Sequence, residues 1–214
     1  HIGVGFRAIW RMMIQYPLGA TCFSAKQCSK LQAQYLPTFL SKMGINCSTA
    51  TAVRHGPSLY GGMDTFQLNT EQGVQHTALT VAHLRKDDEV GRMFTISIDH
   101  LQLQAGVSWP VLSQPGHKQR LYVDPCHVTN TWAFLDSVGS HIRLEPNQWI
   151  RPQRTGDNFI METLSNLPNI RPLELVHAQR CRLYLGVTTL ADISISNGQR
   201  LCEWAINGQS TPRT

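Results

Sequence analysis

Acid is what this chain lacks first. No Asp or Glu precedes Asp64, although Arg7, Arg11, Lys26, Lys30, Lys42 and Arg54 all fall in that stretch. With 19 basic and 14 acidic residues in the whole chain, the opening 63 residues carry +6 and the remainder −1, counting His as neutral. Charge of either sign is scarce, at 15% of 214 residues, as in domains that keep part of their surface covered by a partner. No apolar run approaches the ~20 residues that a helical bilayer crossing takes. The six cysteines form no C-x2-C pair, and Cys126-His127 is the only adjacent Cys/His couple. That argues against both a zinc-finger-like site and a disulfide framework, and it predicts reduced thiols in an intracellular protein.

Catalytic patterns are missing as well. There is no Walker A loop, G-x-S-x-G or H-E-x-x-H, and nothing local selects a hydrolytic triad from the nine histidines. A nucleotidyl-transfer site needs paired carboxylates that hold two divalent metals. The only adjacent acids lie in Asp87-Asp88-Glu89, after Arg85-Lys86 at a helix boundary, where Asp87 and Asp88 read as ordinary N-terminal helix acids. No catalytic residue, metal ligand or cofactor is therefore assigned to these residues.

What is present is helical punctuation. Phe6, Ile9, Trp10 and Met13 make one apolar stripe, flanked by Arg7 and Arg11 and ended by Pro17. Ser24-Ala25-Lys26-Gln27 has the form of a capping box. It opens a helix with Cys28, Leu31 and Tyr35 on one face and Lys26 and Lys30 on the other, kinked or restarted at Pro37 and ended near Gly44. His55-Gly56-Pro57 and Gly61-Gly62 signal a loop. Asn69-Thr70-Glu71-Gln72 reads as a second capping box, followed by an inward face of Val74, Ala78, Val81 and Leu84 that ends at Arg85-Lys86. Residues 88–105 are predicted helical, stopped by Gly106.

Beyond Trp109, five prolines up to Pro152 break the chain into short pieces. A helix over 131–138 ending at Gly139, one capped by Asp157 and one begun by Pro172 with Leu173, Val176, Arg180 and Leu183 are expected. Asn197-Gly198 suits a small hairpin turn. Trp10 and Trp132 read as core, while Trp109 and Trp149 lie in loop-rich parts. The expectation is a mainly α protein: a helical bundle over 1–106, then a loop-rich helical tail over 107–214. With a helical pattern starting so near His1, the chain reads as one entered partway through a longer protein.

Like charges four apart cost an isolated helix about 0.2–0.5 kcal/mol per pair, and no acid near in sequence offsets Arg7/Arg11 or Lys26/Lys30. Either these are solvated faces, with acids of the later half folded against them, or they meet phosphates. The second reading is preferred, since polyanions are the usual partners of an acid-free basic segment.

Four stretches in order, Tyr16–Cys28, His55–Met63, Leu101–Pro110 and Cys181–Ile193, resemble the region downstream of the catalytic palm in reverse-transcriptase-like proteins of retrotransposons without long terminal repeats. The resemblance spans nearly the whole chain. It implies a helical thumb that grips the template–primer duplex by its backbone, without base specificity, followed by a tail of uncertain role. It also implies an upstream palm domain that binds Mg2+ in the parent polymerase, no cofactor in these residues, and a nuclear setting. Phosphate contact then falls to Arg7, Arg11, Lys26 and Lys30, with Lys42 and Arg54 peripheral. Family members often read Gly-Gly-apolar-Gly after the His-Gly-Pro stretch, whereas Asp64 holds the last place here. Two other classes compete: an inert element remnant or protein-interaction scaffold, and a metal-dependent nuclease over 107–214. The tail lacks the acidic-x-Lys that a restriction-like nuclease needs.

Overall fold

A computed structural model describes residue 9 and residues 11–144, 154–195 and 198–207. They are mainly helical, with a loop-rich helical region and a two-stranded antiparallel hairpin, as expected from the sequence. The chain divides into two compact units, residues 1–85 and 86–214. This division falls ahead of the change in composition at 106/107, because the helix over 89–105 packs with the elements that follow it.

The first unit holds α1 (Arg11–Leu18), α2 (Ala25–Lys42), α3 (Thr51–His55) and α4, which runs from Leu68 to Lys86. Ser24 caps α2 as a true capping box: its Oγ accepts the Gln27 N–H at 3.3 Å, and the Gln27 side-chain oxygen accepts the Ser24 N–H at 2.8 Å. Pro37 neither breaks nor restarts α2. A proline there forfeits one backbone bond, and burial of Leu36 and Leu40 on either side of it holds the helix through that loss. Pro17 likewise stays inside α1, which ends at Leu18. Proline cannot donate, but its carbonyl still accepts, here from the N–H groups of Ala20 and Thr21. Leu18, Cys28, Phe66 and Leu68 form the core, with Ile14, Phe23, Tyr35 and Phe39 packed on it.

The inward face of α4 is only in part the apolar one expected, with Val81 and Leu84 half-buried. Val74 is 51% exposed and Ala78 exposed, while Gln72, Gly73, His76 and Thr80 are buried. Polar side chains face in because the segment before α2 supplies their partners. The Gln72 amide brackets the Phe23 peptide, accepting its N–H at 3.1 Å and donating to its carbonyl at 2.8 Å. His76 Nε2 donates to the carbonyls of Leu18 at 3.0 Å and Thr21 at 2.8 Å. The helix also starts one residue ahead of the expected capping box, with Gln72 turned inward instead of back onto the cap.

In the second unit, Asp88 caps α5 (Glu89–Ala105) by accepting the Gly91 N–H at 2.8 Å, and Gly106 ends it in the left-handed conformation. α6 (His127–Ser137), α7 (Ile160–Ser165) and α8 (Pro172–Leu185) follow, then a short α9 (Leu190–Ile193). α6 starts four residues before the expected helix, because the Cys126 sulfur accepts the Thr129 N–H and serves as its cap. Asp157 does not cap α7. Its carboxylate accepts the Ala191 N–H at 3.1 Å and lies 3.6 Å from Arg154, and so ties the entry of α7 to α9. α8 does begin at Pro172, but Leu173, Arg180 and Leu183 are exposed and Leu175, Gln179 and Arg182 are buried. The hairpin pairs β1 (Ser194–Ile195) with β2 (Arg200–Leu201), and α10 (Glu203–Ile206) follows. Asn197 lies outside the described residues. Trp132 is core, its indole N–H donating to the Gln114 carbonyl at 2.8 Å, with Trp109 edge-on to it.

Candidate nucleic-acid interface

α2 presents the clearest basic surface. Lys26 and Lys30, four residues apart on an 18-residue helix, stand on its exposed side. Among the described residues neither has a carboxylate within 4.0 Å. Lys42 is exposed in the last turn, where a cation favours the helix dipole. At 3.6 residues per turn it stands about 120° around the helix from Lys30, so it does not extend the same stripe.

The other candidates are placed differently. Arg7, Phe6 and Trp10 lie outside the described residues. Arg11 lies 3.8 Å from the Glu71 carboxylate, which also accepts from the Gln15 amide, and its guanidinium carbon lies 5.9 Å over the Phe66 ring. Among the described residues, folding therefore brings an acid to Arg11 but none to Lys26 or Lys30. Met13 is 70% exposed. It does not pack closed against α2 but lines an open groove of about 460 Å3 with Ile14, Phe23, Leu31 and Tyr35. Arg54 is half-buried in α3, its Nη2 donating to Thr51 at 3.1 Å.

Arg54 and His55 anchor the loop that the glycines announced. The Thr65 N–H donates to the Arg54 carbonyl at 3.0 Å, Met63 to Val53 at 2.9 Å and Asp64 to Gly56 at 2.9 Å. His55 Nδ1 donates to the Thr65 carbonyl at 2.6 Å, which leaves Nε2 to accept from the Gln32 amide at 3.3 Å. The Gln32 oxygen in turn accepts the Leu68 N–H at 3.2 Å, so α2, the loop and α4 share one hydrogen-bonded joint. The two sides of the loop approach too closely for side chains. A methyl group on Gly62 would sit 2.1 Å from the Gly56 carbonyl oxygen, and one on Gly56 would sit 2.4 Å from that of Ala52. Asp64 has φ 51, the left-handed region that glycine favours.

At the tip, a turn of 3-10 helix over Ser58–Tyr60 leaves Leu59 and Tyr60 each 83% exposed. The sequence marks this stretch only as a loop. The signal was available, since an apolar and an aromatic residue held between Pro57 and Gly61-Gly62 have no helix or strand period to bury them.

In the second unit a cavity of about 790 Å3 is lined by Arg154, Asp157, Asn158 and Ser194 among others. Its carboxylate is already committed to Arg154 and the Ala191 N–H. No helix among the described residues is long and apolar enough to cross a membrane. Comparisons with protein-family models, curated proteins and solved structures return no match.

Proposed function

We propose that the first unit holds the backbone of an RNA/DNA or DNA duplex without base specificity, as the thumb-like part of a retroelement reverse transcriptase whose metal-binding palm lies upstream. One observation carries this reading: Lys26 and Lys30 stand side by side on the exposed side of a capped helix, with no carboxylate among the described residues to neutralise them. An ammonium on a flexible stem meets phosphate as a point charge and reads no sequence. The ordered resemblance of four stretches supplies the polymerase context, and with it the nuclear location. Lys42 and Arg54 contribute at the margin. Arg11 contributes less than its position in the sequence implies, because Glu71 already neutralises it.

The test is equilibrium binding of the 214-residue chain to duplexes of unrelated sequence at low and moderate salt. Similar affinities that weaken together as salt rises support the reading. An absence of binding at low salt, or an affinity set by base sequence, overturns it. On this reading the chain alone incorporates no nucleotide with Mg2+.

The interaction-scaffold alternative has an observation of its own in the second unit. Val90, Met93, Ile96 and Leu103 are exposed along one side of α5. An apolar strip of this kind on a helix suits a protein partner.

A further inference from the structure

The loop over residues 56–64 has the build of a presented surface. Its backbone is closed on itself and on α3 by the bonds from Gly62 to Pro57, Asp64 to Gly56 and Met63 to Val53. A methyl on Gly62 would strike the Gly56 carbonyl and one on Gly56 the Ala52 carbonyl, so neither position admits a side chain. Such a loop holds one conformation before anything binds, so little ordering entropy opposes binding at its tip. The tip then exposes the two residues that folding would ordinarily bury, Leu59 and Tyr60. Among the described residues the Tyr60 hydroxyl has no hydrogen-bond partner, and its ring packs on no other aromatic.

We infer that Tyr60, backed by Leu59, is a stacking platform for an unpaired nucleobase, such as the first base beyond the end of a duplex held by the first unit. This deepens the backbone-binding reading above and rests on it. Charge selects the occupant: the tip belongs to a segment whose only acid up to residue 64 is Asp64, against Lys26, Lys30, Lys42 and Arg54 within the same unit. A partner that brings phosphates together with flat apolar faces satisfies both features, and a single nucleic-acid strand is that partner. Every base has a π face, so stacking on a tyrosine adds affinity without adding sequence preference. That agrees with the absence of a fork-shaped donor at the tip to read a base edge.

The test uses the full 214-residue chain and two labelled RNA/DNA duplexes, one blunt and one with a short single-stranded overhang carrying 2-aminopurine beside the junction. Tyr60→Ala is expected to weaken binding to the overhang duplex by about fivefold or more, the low end of what one stacked base supplies. It should also abolish the quenching of 2-aminopurine and leave blunt-duplex affinity and salt dependence unchanged. Tyr60→Phe keeps the ring and should keep both the affinity and the quenching. Tyr60 is 83% exposed, so the alanine variant retains the fold. Overhang binding and quenching unchanged in Tyr60→Ala, while Lys26→Gln/Lys30→Gln weakens both duplexes, overturns the platform and leaves the backbone reading standing. A wild-type chain that binds neither duplex overturns both.

Discussion

Arg182, buried in α8, donates through Nη2 to the Gln104 carbonyl at 3.1 Å and also to Leu103, and so closes the C-terminal end of α5. Its other donors go to Gln179 at 3.0 Å and to the Val187 carbonyl at 3.3 Å. A cation at the negative end of a helix is favourable, and at 3% exposure the guanidinium is held by a fan of neutral acceptors. Removing it takes the donor from the Leu103 and Val187 carbonyls, at about 1–3 kcal/mol each, while the Gln104 carbonyl keeps the Gln179 amide. Arg182→Ala should therefore cost the second unit about 3 kcal/mol or more. Arg182→Lys should recover less than half, because one ammonium cannot span the fork. Urea unfolding followed by fluorescence of Trp109 and Trp132 measures both. An alanine variant within about 1 kcal/mol of wild type would remove this role.

His76 predicts a pH dependence in the first unit. Burial pushes its pKa below the ordinary 6.5, against smaller upward pulls from the Thr21 and Leu18 carbonyls. The folded form therefore prefers the neutral ring, and the unfolded chain takes up the proton first. The contribution of this residue is complete above pH 6.5 and is lost as pH falls from there through the folded pKa. Thermal melts between pH 8 and pH 5 should show that loss, reduced in His76→Gln. An imidazole that titrates by NMR at or above 6.5 in the folded chain would contradict it.

Much of the fold was legible wherever the signal was local. Ser24 with Gln27, Asp88, Gly106 and Pro172 each mark a helix end through chemistry confined to a few neighbouring residues. The faces of α4 and α8 were misread for one shared reason. Periodicity finds a core only when the core is apolar, and these helices bury Gln72, His76 and Thr80, and Gln179 and Arg182. Their partners are carbonyls far along the chain, such as Leu18 for His76 and Leu103 for Arg182. At the candidate interface, Lys26 and Lys30 were legible as an exposed pair. The pairing of Arg11 with Glu71 was not, because the two meet only once α1 and α4 have folded.

The loop makes a backbone prediction. Gly62→Ala puts a methyl against the Gly56 carbonyl and should open the loop or destabilise the first unit by about 2 kcal/mol or more, as strain at a special backbone position does. Asp64→Val, β-branched at positive φ, should cost about 1–2 kcal/mol, while Asp64→Gly should cost nothing. Hydrogen exchange at the Met63 and Asp64 amides reports the opening directly. Wild-type protection in Gly62→Ala would contradict the close approach.

Core and interface should separate cleanly in stability. Trp132→Ala should cost about 3–5 kcal/mol, the range for large-to-small changes in a packed core. Lys30→Ala should cost under about 0.5 kcal/mol. Equal losses in the two variants, measured by urea unfolding, would mean that Lys30 has a structural role and is not free for a partner.

On the proposed function, Lys26 and Lys30 meet phosphates. The most direct test is the slope of log K against log salt for RNA/DNA duplex binding by wild type and by Lys26→Gln/Lys30→Gln. Each phosphate contact contributes about −0.9 to that slope. The double variant should bind all sequences more weakly, with a slope shallower by about 1.8. A slope and affinity identical to wild type would contradict the account.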